Sequence, residues 1–101
     1  MEISFCDAKT CAVFNSLSAL RAKYGVEIAG SIVVRMGVLN AAPVLAAVPR
    51  KPPINLTTDE GDYTVSLAQS RRLRFRPDQK ASSSLTKPSK VTAIQIIGVE
   101  G

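Results

Sequence analysis

Residues 63–77 read YTVSLAQSRRLRFRP, and the alternation in this stretch decides the fold. Tyr63, Val65 and Leu67 alternate with Thr64, Ser66 and Ala68, and then Leu73 and Phe75 alternate with Arg72, Arg74 and Arg76. A period of two marks half-buried strands, with one face in a core and the other outside it. A reversal at Gln69 and Ser70 joins the two strands into a hairpin. On the second strand, successive guanidinium groups stand about 6.6 Å apart at the usual strand rise. With Arg71, four arginines fall within six residues. Guanidinium is always charged and its planar fork matches phosphate oxygens, so such a ladder suits an extended polyanion, RNA above all. The same pattern also serves an edge strand that uses charge to resist aggregation.

Upstream of this hairpin, Asp59–Asp62 (DEGD) is a turn signal, with a strand expected before it near Ile54–Leu56. Pro49–Pro53 (PRKPP) suits neither a helix interior nor a central strand and reads as a rigid connector. Farther back, Val13, Phe14, Leu17, Leu20 and Tyr24 follow helical spacing up to Gly25, and Asn15 and Ser16 offer a place for that segment to split. Ile28, Ile32, Met36 and Leu39 mark a second apolar stripe, ended by Asn40 and Pro43. At the start of the chain, Glu2–Phe5 alternates as a short strand and Asp7 is a good N-cap behind it. Downstream, 78–89 (DQKASSSLTKPS) reads as a long loop, and Val91–Val99 as a strand buried in the middle of the sheet. The expectation is a single α+β domain over residues 1–101. A helical hairpin (about 7–48) covers one face of a mainly antiparallel sheet of four or five strands (about 54–99, with the N-terminal strand). Ile3, Phe5, Val65, Leu67, Leu73 and Phe75 define the covered face, and the opposite face is expected to be basic.

Composition bounds the chemistry. With 101 residues, 46% of them hydrophobic, the chain can bury a core without disulfides or metal. The net charge is +5, and residues 50–90 hold nine Lys/Arg against four Asp/Glu while the remainder holds four of each. Basic charge gathered in one region is the footprint of a nucleic-acid binder, although an acidic protein surface attracts it equally. Cys6 and Cys11 form no CxxC pair and the chain has no histidine, so zinc and thiol–histidine chemistry lack a ligand set; both cysteines are expected to be buried, and no metal or cofactor is expected. Glu2 and Asp7 interrupt any signal peptide, and the charge-free run Met36–Pro49 is shorter than the roughly 20 residues of a membrane span. A cytoplasmic protein without a membrane partner is expected.

The order of elements, with EISF at Glu2–Phe5, FNSLSALRAKYG ending at Gly25, VLNAAPVLAAVP in the long helical region, RRLRFRP and the closing KVTAIQIIGVE, resembles the RelE superfamily of bacterial toxins and within it the HigB-like, or plasmid-maintenance killer, proteins. The resemblance covers nearly the whole chain. It implies a metal-independent endoribonuclease that cuts messenger RNA on the ribosome and is silenced by a cognate antitoxin, typically a helix-turn-helix protein. Arg72 matches the family's strand arginine and is the catalytic candidate. Arg71, Arg74, Arg76 and Lys90 are RNA-binding candidates, and Tyr63 is the tyrosine considered for proton transfer, its alternation favouring the core.

The chain also departs from the family. Acidic TTDEGD stands where the family carries a basic residue, and the Asp-Tyr-His ending of many members does not occur among these residues. Two further readings stay open beside the enzyme: a binding module of the same fold that grips RNA, ribosome or antitoxin without cleaving, and a ParE-like inhibitor of DNA gyrase.

Overall fold

The computed structural model describes residues 1–59, 61–78 and 91–100. Its elements run β1 (Glu2–Phe5), α1 (Ala8–Phe14), α2 (Leu17–Tyr24), α3 (Val26–Ala41), β2 (Thr57–Asp59), β3 (Asp62–Ser66), β4 (Arg72–Pro77) and β5 (Ala93–Glu100). The fold is α+β, and its strands form one five-stranded mixed sheet in the order β1-β5-β4-β3-β2. The β1–β5 pair is parallel and the other pairs are antiparallel.

Local chemistry accounts for the helix boundaries. Asp7 has an extended backbone and its carboxylate accepts from the Thr10 N–H at 2.7 Å, which opens α1. That bond holds the Asp7 carboxyl below its ordinary value. Ser16 then accepts from the Ala19 N–H at 3.2 Å and starts α2, so the expected split falls between Phe14 and Leu17. Gly25 has φ 89° and ψ 161°, backbone open essentially to glycine alone, and it turns the chain directly into α3. Beyond Ala41, Pro43 has no N–H to continue the ladder.

The helices and the inward side chains of the strands share one core. Ile28, Ala29, Ile32 and Leu39 of α3 and Leu20 of α2 join Val65, Leu73, Phe75, Ile94 and Ile96, with Ile3 and Phe5 half-buried against them. The register pairs Tyr63 with Phe75 and Val65 with Leu73 on this face, and sets Thr64 opposite Arg74 and Ser66 opposite Arg72 on the other. Val65, Leu73 and Phe75 are each 0% exposed. The expected face is therefore the covered one.

Several expectations are corrected. The strand placed at Ile54–Leu56 is instead β2 at Thr57–Asp59: Asn55 takes φ 53°, which breaks the extended run, while Ile54 and Leu56 remain buried as core plugs. The last strand begins at Ala93 and runs to Glu100, with Val91 buried ahead of it. Cys6 is exposed and Cys11 half-buried, because Cys6 lies in the bend between β1 and α1 and Cys11 on the rim of a short helix. The loop expected at 78–89 falls, apart from Asp78, outside the described residues, as does Lys90. No helix among the described residues is long and apolar enough to cross a membrane.

Truncating a side chain on the covered face removes packing that no neighbour can replace. Leu73→Ala should cost about 2–5 kcal/mol and Phe75→Ala about 3–5 kcal/mol. Val33→Ala, on the exposed side of α3, should stay within about 0.5 kcal/mol in the same urea titration.

Candidate functional site

The strand period brings Arg72, Arg74 and Arg76 to the outer face of β4, and the fold then gives each a different environment. Arg74 is the centre of an acidic cluster. Its Nη2 meets Asp59, its Nη1 donates to Asp62 at 3.0 Å, and its Nε and Nη2 take both oxygens of Glu100 at 2.8 and 2.9 Å. Arg76 shares Asp62 at 3.3 Å. Glu100 is the cross-strand partner of Arg72, yet its carboxylate reaches diagonally to Arg74.

Protonation follows these contacts. The Glu100 bond, then those from Asp59 and Asp62, push the Arg74 guanidinium above its ordinary value. The Arg74 bond in turn holds the Glu100 carboxyl below its usual 4.5. The outer face is consequently not the uniformly basic surface expected: Asp59, Asp62 and Glu100 set three carboxylates among three arginines. These acids come from the β2–β3 hairpin and the end of β5, which the strand order places on either side of β4.

Arg72 is held differently. Its Nε donates to Thr64 Oγ1 at 2.8 Å, its Nη1 to Ser66 Oγ at 3.2 Å, and its Nη2 to the Asn55 carbonyl at 3.1 Å and Thr57 Oγ1 at 3.0 Å. All four acceptors are neutral. Thr64, only 3% exposed, lies beneath it as a buried hydroxyl. The guanidinium is thus fixed in orientation while no carboxylate among the described residues pairs with it. A group so held carries its full charge toward any anion that approaches.

A second cation, which the sequence pattern did not single out, joins it. Arg35 of α3 donates from Nε to the Ser66 carbonyl at 2.7 Å and from Nη2 to the Pro53 carbonyl at 3.3 Å. Asn55 Nδ2 bonds Ser66 Oγ at 3.2 Å, so Arg35, Asn55 and Arg72 all converge on Ser66. Exposed Arg50 and Lys51 lie on the connector that carries Asn55, whose N–H bonds the Lys51 carbonyl at 3.0 Å. Positive charge accumulates at this end of β3 and β4, while Asp59 and Asp62 lie at the other and Glu100 turns from Arg72 toward Arg74. A single arginine in the otherwise apolar run of α3 is the only sequence signal for Arg35, and nothing in the local pattern tells it from a solvated charge.

The remaining candidates lie elsewhere. Tyr63 is 7% exposed and stacks on Phe75 with ring centroids 6.1 Å apart, so its ring belongs to the core, away from Arg72. Arg71 is half-buried on the helix side of the sheet, one residue out of phase with the ladder. It lines a recess with Thr10, Phe14, Lys23, Tyr24 and Gly98. No cluster of three or more His, Cys, Asp or Glu with metal-holding geometry occurs among the described residues. Comparison with family models, curated proteins and solved structures returns no match for this chain.

The Arg74 cluster predicts an acid response whose sign follows from the lowered Glu100 value. Its contribution to stability is complete above the ordinary 4.5 and is lost as pH falls through the lower folded value. Glu100→Gln should lower the urea midpoint at pH 7 and flatten its decline on acidification. Parallel midpoint curves for the two proteins would show that the bond contributes nothing to folding.

Proposed function

We propose that this chain is a toxin-type domain of the RelE/HigB kind, acting on messenger RNA at the ribosome and restrained by a cognate antitoxin. The observation that carries the reading is Arg72, a half-buried guanidinium oriented wholly by neutral acceptors. The order β1-β5-β4-β3-β2 with a helical layer on one face accords with the architecture that the sequence resemblance implies.

In this reading Arg72 and Arg35 engage successive phosphates at the Ser66 end of the sheet, and Arg50 and Lys51 extend the track. Arg76 and Arg74 are held by carboxylates and act in structure rather than in RNA contact. Cleavage would proceed by attack of a ribose 2′-hydroxyl on the adjacent phosphorus, breaking the bond to the 5′-oxygen. The 2′ proton must be removed and the leaving oxygen protonated, and negative charge grows on phosphorus between those events. Arg72 is suited to the charge. The proton carriers are another matter: the chain has no histidine, and Tyr63 is buried against Phe75. Those two facts favour a second reading, in which the domain grips RNA without efficient cleavage, since a positioned acid or base contributes about 10²- to 10⁴-fold in rate.

Two measurements test this. RNA affinity should fall steeply with salt, and Arg72→Ala should weaken binding and reduce the log–log salt slope by about 0.7, the value for one phosphate on a single strand. Arg76→Ala should leave the slope nearly unchanged. An unaltered affinity in Arg72→Ala would end the proposal. Primer extension on translated messenger RNA after induction then separates the readings: strong cleavage supports the enzyme, and binding without cleavage supports the grip alone.

A further inference from the structure

On the helix side of the sheet, away from the Arg72 face, α1, α2 and the end of β5 enclose a recess of about 390 Å³. Its walls combine Phe14 and Tyr24 with apolar side chains of β5 and two cations, Lys23 and Arg71. We propose that this recess is a binding site for a small aromatic anion, a single ring bearing one phosphate or carboxylate.

Three observations point to that class. First, the space is built in. The β4–β5 register slips between Arg74 and Phe75, so that Arg74 faces Gly98 while Phe75 faces Ile96, leaving Ile97 as the extra residue of a bulge. Gly98, opposite Arg74, carries no side chain at this bulge, and its backbone borders the recess. The bulge bends β5 beside the recess and sets Ile97 and Gly98 along its wall. Second, its charge is one-sided. None of its lining residues is acidic, and among the described residues no acceptor meets the buried Nε of Arg71. Two cations, Lys23 and Arg71, thus border a lining that supplies no carboxylate, which favours an anionic occupant. Third, the apolar part is aromatic and fixed. Phe14 packs on Phe5 with centroids 5.8 Å apart, and Lys23 Nζ stands 5.5 Å from the Tyr24 ring centroid. The rings supply flat apolar surface, and the cations supply the attachment for a charged head.

The volume falls at the small end of ligand sites, which suits one ring and its substituent rather than a polymer. Phosphate and carboxylate share the chemistry that Lys23 and Arg71 would read, and the fork of Arg71 can meet either. The site is independent of the RNA reading. It uses none of the residues on the Arg72 face, and either proposal can fail without the other.

The test is a ¹H–¹⁵N correlation titration of the full chain with phenyl phosphate, phenylacetate, inorganic phosphate and benzyl alcohol in turn. Phenyl phosphate or phenylacetate should saturably shift the amides of Thr10, Phe14, Tyr24 and Gly98, and the tighter of the two identifies the head group. Either should bind about tenfold or more tightly than inorganic phosphate and benzyl alcohol, which each lack half of the required chemistry. Lys23→Gln, an exposed substitution that leaves packing alone, should weaken the preferred probe about tenfold, and Arg71→Gln at least as much. Arg76→Gln should leave it unchanged. Saturable shifts centred on Thr64 and Ser66, equal affinity for benzyl alcohol, an unaffected Lys23→Gln variant, or no saturable shift up to about 10 mM of either anionic probe would each overturn the assignment.

Discussion

The pairing of Leu73 with Val65 and of Phe75 with Tyr63 is the constraint on which the rest of the molecule depends. Once these four side chains are committed to the helix layer, the intervening residues of both strands have no choice of side. Arg72, Arg74 and Arg76 must line the outer face with Thr64 and Ser66, and Arg71 must turn back toward the helices. A slip of one residue would bury three guanidinium groups and expose the largest apolar side chains, and it is forbidden on those grounds. The two cationic regions on opposite sides of the sheet therefore derive from a single packing decision.

What the arginines then do is decided by residues far away in the chain. Their spacing was legible at once, and so were the covered face and the split between α1 and α2, because these are local properties of alternation and capping. Their neutralisation was not legible. Asp59, Asp62 and Glu100 become neighbours of Arg74 only through the order of the strands, and Glu100 bonds Arg74 rather than its own register partner, whose Nε, Nη1 and Nη2 are engaged by Thr64, Ser66, Asn55 and Thr57. A charge count over residues 50–90 could not register an acid contributed from position 100.

The same limit explains Arg35 and Tyr63. Arg35 sits in a helix whose apolar stripe is otherwise plain, and its meaning appears only when the end of β3 presents the Ser66 carbonyl to it. Tyr63 was legible as core from its alternation, and its stack on Phe75 gives that alternation a physical partner. The strand misplaced at Ile54–Leu56 shows a different limit: a strand is expected ahead of the DEGD turn, whereas Asn55 turns the chain and lets two apolar residues enter the core from an irregular segment.

The parallel pairing of β1 with β5 imposes an order on biosynthesis. Among the described residues β1 pairs with β5 alone, and Glu2, Ile3, Ser4 and Phe5 find their register partners at Ala93, Ile94, Gln95 and Ile96. The segment made first must wait for one made close to a hundred residues later, an interval of roughly 5–20 seconds at ordinary translation rates. During that interval Ile3 and Phe5 have no strand to cover their backbone, and the nascent chain carries an open edge. Vectorial synthesis thus leaves β1 unpaired until β5 is made, and the arrival of β5 completes the sheet.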